Sequence, residues 1–280
     1  MPEFSAYAKI NLGLKITGHR NDGMHTIRTI FQEISLKDTL RIERSDNGFQ
    51  FSCNQPDIPQ DETNLCIRAW NAIKQIDKDI QDVRIELDKQ IPVGAGLGGG
   101  SSNAAAVLTG INEFLGLGYS NGDMERMAVK LGADVPFFIK GGVQYAEGIG
   151  DVLSSSQLPV MGAVLLVSSP IKVSTAWAYA KAINYLPDGY STGNFPAASG
   201  DTEDWKFFEN DFEPLVFQTY PEIGTIKDRM LRSKAVFASL SGSGSTVFGI
   251  FEDDADARKA LSSFSLPLQT FLAHPIKIRN

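Results

Sequence analysis

The chain has 280 residues, is 42% hydrophobic and carries a formal charge of −7. That is enough for one or two globular domains with a sizeable core. The acidic balance argues against non-specific nucleic-acid binding, which needs a basic face, and leaves open a small anionic ligand in a locally basic pocket. Cys53 and Cys66 lack metal or redox spacing and read as free thiols of a reducing compartment. The opening residues, MPEFSAYAKINLGLKI, have no basic-then-apolar leader layout, and no run reaches the ~20 apolar residues of a membrane span. A cytoplasmic enzyme with neither nucleic-acid nor membrane partner is the expectation.

Two strand-like segments open the chain, over 5–17 and 27–43. A polar turn at 44–48 and a loop through 56–63 precede a helix near 64–76. Val83, Ile85 and Leu87 alternate with Arg84, Glu86 and Asp88, which predicts a strand. Glycines follow at 94, 96, 98, 99 and 100. Ala104, Val107, Leu108, Ile111 and Leu115 then fall at helical spacing, with Gly116 and Gly118 to end the helix. A shorter helix over 120–131 opens with capping-box spacing at Ser120 and Asp123. Gly132 ends it, and Pro136 directs Val135 toward extended backbone.

The second half starts near 158 with an apolar strand over 162–168 and a helix over 174–183. Residues 187–204 are rich in Pro, Gly, Ser and Asp and read as an exposed loop or flap. Two helices flank Pro221. Strands over 235–240 and 246–251 surround the turn Ser241-Gly-Ser-Gly-Ser245. A helix over 254–264 and a strand over 268–273 close the chain. Without regular βαβα alternation, the class is α+β.

The stretch IPVGAGLGGGSSNAAAVL, residues 91–108, carries the main functional signal. Glycines let backbone N–H groups approach an anion, and the following helix adds its free N-terminal donors and positive dipole end. Ser101, Ser102 and Asn103 stand where N-cap residues stand. A flexible hinge is the competing reading, but hinges rarely open into a capped apolar helix. Gly94, Gly96 and Gly99 formally satisfy the dinucleotide fingerprint, yet in the wrong place for a first βα turn, so a Rossmann-type oxidoreductase is remote. No lysine lies between Lys89 and Lys130, which excludes a Walker A loop, and protein-kinase signatures are absent.

Three separated segments resemble one superfamily in order. They are Ala6-Tyr-Ala-Lys9-Ile-Asn11-Leu-Gly13-Leu, the run from Pro92 to Ala105, and Ser241-Gly-Ser-Gly-Ser-Thr-Val-Phe-Gly249. On these the chain resembles the GHMP kinases, small-molecule kinases that use ATP. Finer features are Ile16-Thr-Gly-His-Arg-Asn-Asp-Gly23 with His25, Thr63-Asn64-Leu, and Leu131-Gly-Ala-Asp134-Val-Pro136. These resemble the branch that acts on a cytidyl diphosphate substrate in the non-mevalonate isoprenoid route. The resemblance implies two domains. Residues 1–157 form an ATP-binding domain like ribosomal protein S5 domain 2, and residues 158–280 a ferredoxin-like domain.

Every residue role that follows is implied by that resemblance. The γ-phosphate of ATP passes to a tertiary hydroxyl of a methylerythritol unit. Asp134 is the candidate base or orienting group, and Lys9 pairs with it. Alone, Asp134 would read as a turn residue and Lys9 as a snorkelling edge lysine. Pro92, Gly94, Ala95, Gly96, Leu97, Gly98, Gly99, Gly100, Ser101 and Ser102 hold the ATP phosphates, while Asn64 and Lys89 lie near adenine. Mg²⁺ bridges the phosphates, and no protein metal ligand is assigned. Asn11, His25, Thr175 and Tyr179 belong to acceptor binding, with His25 and Tyr179 at the cytidine. Gly242, Ser243 and Gly244 either cradle the acceptor diphosphate or support the first loop. Met24 stands where the family commonly has an aromatic residue, which weakens a two-sided clamp on the base. A kinase of the same superfamily acting on homoserine, mevalonate or a sugar is the alternative, followed by a non-catalytic nucleotide-binding protein. Monomer and homodimer are both open.

Overall fold

A computed structural model describes residues 1–156, 162–186, 195, 205 and 208–277. The chain packs as two compact units. One takes Met1–Ala8, Lys37–Val93 and Gly98–Gly141; the other takes Lys9–Leu36, Gly94–Leu97 and Gly142–Asn280. Strands β1 (Glu3–His19) and β2 (His25–Arg44) contribute to both. The sequence division at 157 and 158 lies outside the described residues.

In the first unit the end of β2 pairs antiparallel with a later strand. β3 is Gln50–Cys53 and β4 is Val83–Asp88. Thr39 of β2 stands opposite Asp88 and Arg44 opposite Val83, while β3 lies parallel to β4. Helix α1 (Leu65–Ile76) buries Cys66, Ile67, Ala69, Trp70 and Ile73 along one face. It packs on α2 (Gly99–Leu115), whose buried Ala104, Val107, Leu108 and Ile111 fall as the spacing predicted. Helix α3 (Asn121–Ala128) carries the expected capping box between Ser120 and Asp123. Helix α4 (Val135–Lys140) was missed. Val135 is helical rather than extended, because Pro136 falls in the first helical turn, where no backbone donor is needed.

In the second unit the start of β2 pairs with β5 (Val143–Glu147), Thr29 opposite Ala146, and β5 pairs with β6 (Val152–Ser155). A separate antiparallel sheet contains β7 (Ala163–Ser168), β8 (Phe237–Leu240), β9 (Thr246–Phe251) and β10 (Gln269–Ala273), in the order β10-β7-β9-β8. Every residue of β7 and β9 is buried. Helices α5 (Thr175–Ala182), α6 (Glu213–Thr219), α7 (Pro221–Arg232) and α8 (Asp254–Leu261) accompany this sheet. Its core joins Leu165, Val167, Val247 and Phe251 to Ile223, Ile226 and Met230. The predicted loop over 187–204 lies outside the described residues except Phe195. That residue is buried and meets Tyr145 and Phe208 edge-on. Among the described residues no helix is long and apolar enough to cross a membrane.

Candidate active site

The glycine segment turns by alternation. Gly94, Gly96 and Gly98 have φ of 67°, 81° and 70°. Gly98 is itself the N-cap of α2, in the left-handed region, without a side-chain cap. Ser101, Ser102 and Asn103 are therefore not caps; they lie inside the helix as its third, fourth and fifth residues. A left-handed glycine turns the chain straight into a helix with no Cβ penalty, so no capping side chain is needed. The first-turn N–H groups of Gly99, Gly100 and Ser101 then have no carbonyl one turn back, and Ser102 N–H makes the first helical bond, to Gly98 O at 2.9 Å. Such a row of donors at a helix N-terminus suits phosphate. Ser102 Oγ is buried with no hydrogen-bond partner among the described residues. Leaving a buried hydroxyl unmatched costs about 1–3 kcal/mol, so this atom fits a site completed by ligand.

Within the second unit, residues 95–97 are pinned from two directions. Thr246 N–H donates to Ala95 O at 3.2 Å, and Lys9 N–H to Leu97 O at 3.0 Å. Gly96 O accepts from Ser241 Oγ at 2.9 Å and from Lys9 Nζ at 3.1 Å. A Cβ on Gly96 would overlap the Ser241 carbonyl. The turn at 241–245 thus supports the first loop directly. Gly242 lies 3.5 Å, measured from an added Cβ, from Asn11 Oδ1, and Ser243 Oγ lies 3.0 Å from Thr175 Oγ1. Asn210, absent from the sequence-based site, donates to the carbonyls of Leu240 at 2.7 Å and Gly242 at 2.9 Å. It follows the aromatic-rich run Trp205-Lys-Phe-Phe208 and carried no signal in the sequence.

Lys9 is not an edge lysine. It is buried at 4% exposure, its Nζ donates to Asn11 Oδ1 at 2.6 Å, and it sits 5.1 Å above the Phe31 ring. Asn11 Nδ2 donates to Thr29 Oγ1 at 3.0 Å, and that hydroxyl donates to Gly13 O at 2.6 Å. Asn11 therefore positions Lys9.

In the first unit, Asn64 caps α1. Its Oδ1 accepts from Cys66 N–H at 2.9 Å, and its Nδ2 donates to Pro59 O at 2.6 Å. Lys89 is buried, with Nζ 2.5 Å from Asp38 Oδ2 and 3.4 Å from Asn103 Oδ1. Both side chains thus have structural partners here, and Pro92 follows them half-buried. Asp134 precedes α4, half-buried, and its carboxylate does not cap that helix. Cys53 and Cys66 are free thiols, as the sequence suggested, and burial pushes the Cys66 thiol up to about 12.

His25 and Tyr179 come together in the second unit, their rings stacked at 5.1 Å and 24°. The His19 ring meets His25 edge-on at 4.7 Å, and Phe212 meets Tyr179 edge-on at 4.9 Å. Burial, and then His19, lower the His25 pKa, which favours the neutral imidazole. Met24 is 46% exposed.

Residues 64–142 match the model of the GHMP kinase N-terminal domain, and residues 199–268 that of the GHMP kinase C-terminal domain. A protein of Prosthecochloris aestuarii named 4-diphosphocytidyl-2-C-methyl-D-erythritol kinase is 44% identical over 93% of this chain and 92% of its own. The chain belongs to the GHMP kinase family. A crystal structure of 4-(cytidine 5′-diphospho)-2C-methyl-D-erythritol kinase is 31% identical, with TM-score 0.82 over 97% of this chain and 98% of that one. The homoserine kinase of Cytophaga hutchinsonii shares the fold at 18% identity, TM-score 0.70, over 98% and 95% of the two chains. This GHMP kinase is a two-domain α+β enzyme with ATP as co-substrate. Among its described residues, no group of three or more His, Cys, Asp or Glu is placed to hold a metal.

Proposed function

We propose that this GHMP kinase transfers the γ-phosphate of ATP to the 2-hydroxyl of 4-diphosphocytidyl-2-C-methyl-D-erythritol, in the non-mevalonate route to isoprenoid precursors. The identity of 44% to a relative bearing that kinase's name, sustained over 93% of the chain, carries the reading. The left-handed Gly98 opening α2 supports it, because it leaves a row of backbone donors for phosphate oxygens. Phosphoryl transfer depends mainly on alignment and charge neutralisation. The first-turn N–H groups of α2 hold the donor phosphates. Asp134 orients the acceptor hydroxyl and takes its proton as the bond forms. Lys9, fixed by Asn11 and Gly96, supplies positive charge. Magnesium, when bound, neutralises phosphate charge; it commonly keeps water and few protein ligands, and the Ser102 hydroxyl is the side chain offered to it. His25 and Tyr179 receive the cytosine. The reading keeps domains 1–157 and 158–280, a cytoplasmic location, and a monomer or homodimer.

A panel of acceptors with ATP and Mg²⁺, followed by phosphorus NMR, tests the assignment. Turnover of the cytidyl compound is expected; turnover of homoserine or mevalonate without it overturns the acceptor. Asp134→Asn should lower kcat about 10²–10⁴-fold with ATP affinity intact. Lys9→Ala should act in the same direction, the two losses failing to add because the residues work as a unit.

A further inference from the structure

We infer that Asp38 is the positioning residue of the phosphate loop: a buried carboxylate that ties the loop's entry to α2 through Lys89, Gln90, Ile91 and Asn103. The inference rests on the ATP-donor reading above. Asp38 lies in β2 and is fully buried. Its Oδ1 accepts the N–H groups of Gln90 at 2.7 Å and Ile91 at 2.8 Å. Its Oδ2 accepts from Lys89 Nζ at 2.5 Å and Asn103 Nδ2 at 2.8 Å. One carboxylate thereby gathers four donors from the residues before the glycines and from the second turn of the helix after them.

The cradle sits directly on this cluster. A Cβ on Gly99, the first residue of α2, would lie 3.0 Å from Lys89 Nζ and 3.0 Å from the Ile91 side chain. Glycine there lets the helix N-terminus rest on the ion pair. A buried ion pair is weak evidence for stability, since well-packed apolar residues often replace one without loss. Directional bonds do what apolar filling does not: each fixes a distance and an angle. The entry backbone and α2 are held at set separations, and the donor row between them inherits that geometry.

Asp38→Asn keeps the shape and the Oδ1 acceptor but leaves the Lys89 ammonium without its counter-charge. Asp38→Asn with Lys89→Met removes both charges, and Asn103→Leu removes the link to α2. Each variant is measured by calorimetry with a non-hydrolysable ATP analogue and Mg²⁺, by KM for ATP and for the acceptor, and by thermal unfolding. Misplaced donors should weaken analogue binding about ten- to a hundred-fold while acceptor KM stays within about two-fold. The double variant should regain thermal stability and keep the ATP defect. Recovery of both, or equal losses in both KM values, overturns the inference, because a merely structural pair behaves that way. If Asp38→Asn does not fold, the double variant and Asn103→Leu decide by the same criteria. Calorimetry needs no turnover. A wild-type protein that binds the analogue but leaves the cytidyl compound untouched refutes the acceptor assignment, and the Asp38 result still stands or falls by itself.

Discussion

Two glycine turns in this kinase share an alternation of positive φ and lead into different elements. Positive φ recurs at alternate residues in both, at 94, 96 and 98 in the first and at 242 and 244 in the second. Alternation of this kind gathers successive N–H groups on one side. The exits differ. The first turn runs into helix α2, whose opening donors have no partner one turn back. The second runs into strand β9, and its donors turn back on the chain: Gly244 N–H meets Ser241 O at 3.0 Å and Thr246 N–H meets Ala95 O at 3.2 Å, while Ser241 N–H meets Thr246 O at 2.9 Å. The element that follows a glycine-rich turn decides whether donors stay open or are spent on the chain; under the proposed function the first turn is the phosphate cradle and the second its brace.

Gly98→Val attacks the cradle and has the largest expected effect. Valine excludes the left-handed backbone from which α2 starts. Calorimetry should detect no binding of an ATP analogue in protein whose circular dichroism is unchanged, with acceptor binding retained. Full affinity in that protein would reduce the first turn to a hinge.

Tyr179→Ala sharpens the comparison from the acceptor side. Losing a base-stacking ring should raise acceptor KM about ten- to a hundred-fold and leave ATP KM unmoved. Its neighbour His25 adds a pH dependence. Burial and His19 depress the folded pKa below the ordinary 6.5. The neutral ring is thus favoured in the fold, and its contribution is complete above the unfolded value and lost as pH falls through the folded one. Melting temperatures taken across pH 7.5 to about 5 should decline in the wild type and decline less in His25→Asn.

Gly96→Ala tests the seam where brace meets loop. Its methyl overlaps the Ser241 carbonyl and its φ of 81° disfavours any side chain. Strain of about 2–3 kcal/mol is expected, seen as a melting temperature lower by about 4–10 °C. Ser241→Ala is the mildest change. It removes one bond to Gly96 O, which keeps its bond from Lys9 Nζ. The loss should be about 0.5–1.5 kcal/mol of stability, with kcat untouched. If Ser241→Ala matched Gly98→Val in ATP binding, the second turn would be ligand-facing and the distinction would fail.

Much of the fold was legible because apolar periodicity carries it. Strands β1, β2, β4, β7 and β9 and helices α1, α2, α5 and α7 lie within a few residues of where the pattern put them. Strands β3 and β6 escaped because each has four residues and none of them is buried. Helix α4 escaped because Pro136 reads as a breaker unless its place in the first turn is known. In the site, the cap assignment failed at Ser101–Asn103 because the eye follows side chains, whereas the cap is a backbone angle at Gly98. Asp38 and Asn210 were invisible for a simpler reason. Each acts on backbone or side chains at least 30 positions away, and no local pattern marks such a residue.

The run from Gly13 to Lys9 has only one direction available to it. A carbonyl accepts and never donates; an ammonium donates and never accepts. Between them stand one hydroxyl and one amide, each able to point either way in isolation. The Gly13 carbonyl fixes the Thr29 proton, Thr29 fixes which end of the Asn11 amide faces it, and Asn11 must then turn its oxygen to Lys9. Reversing the hydroxyl or the amide would set donor against donor on one side and acceptor against acceptor on the other. The heading of the Lys9 ammonium is therefore dictated by a peptide oxygen four residues further along its own strand.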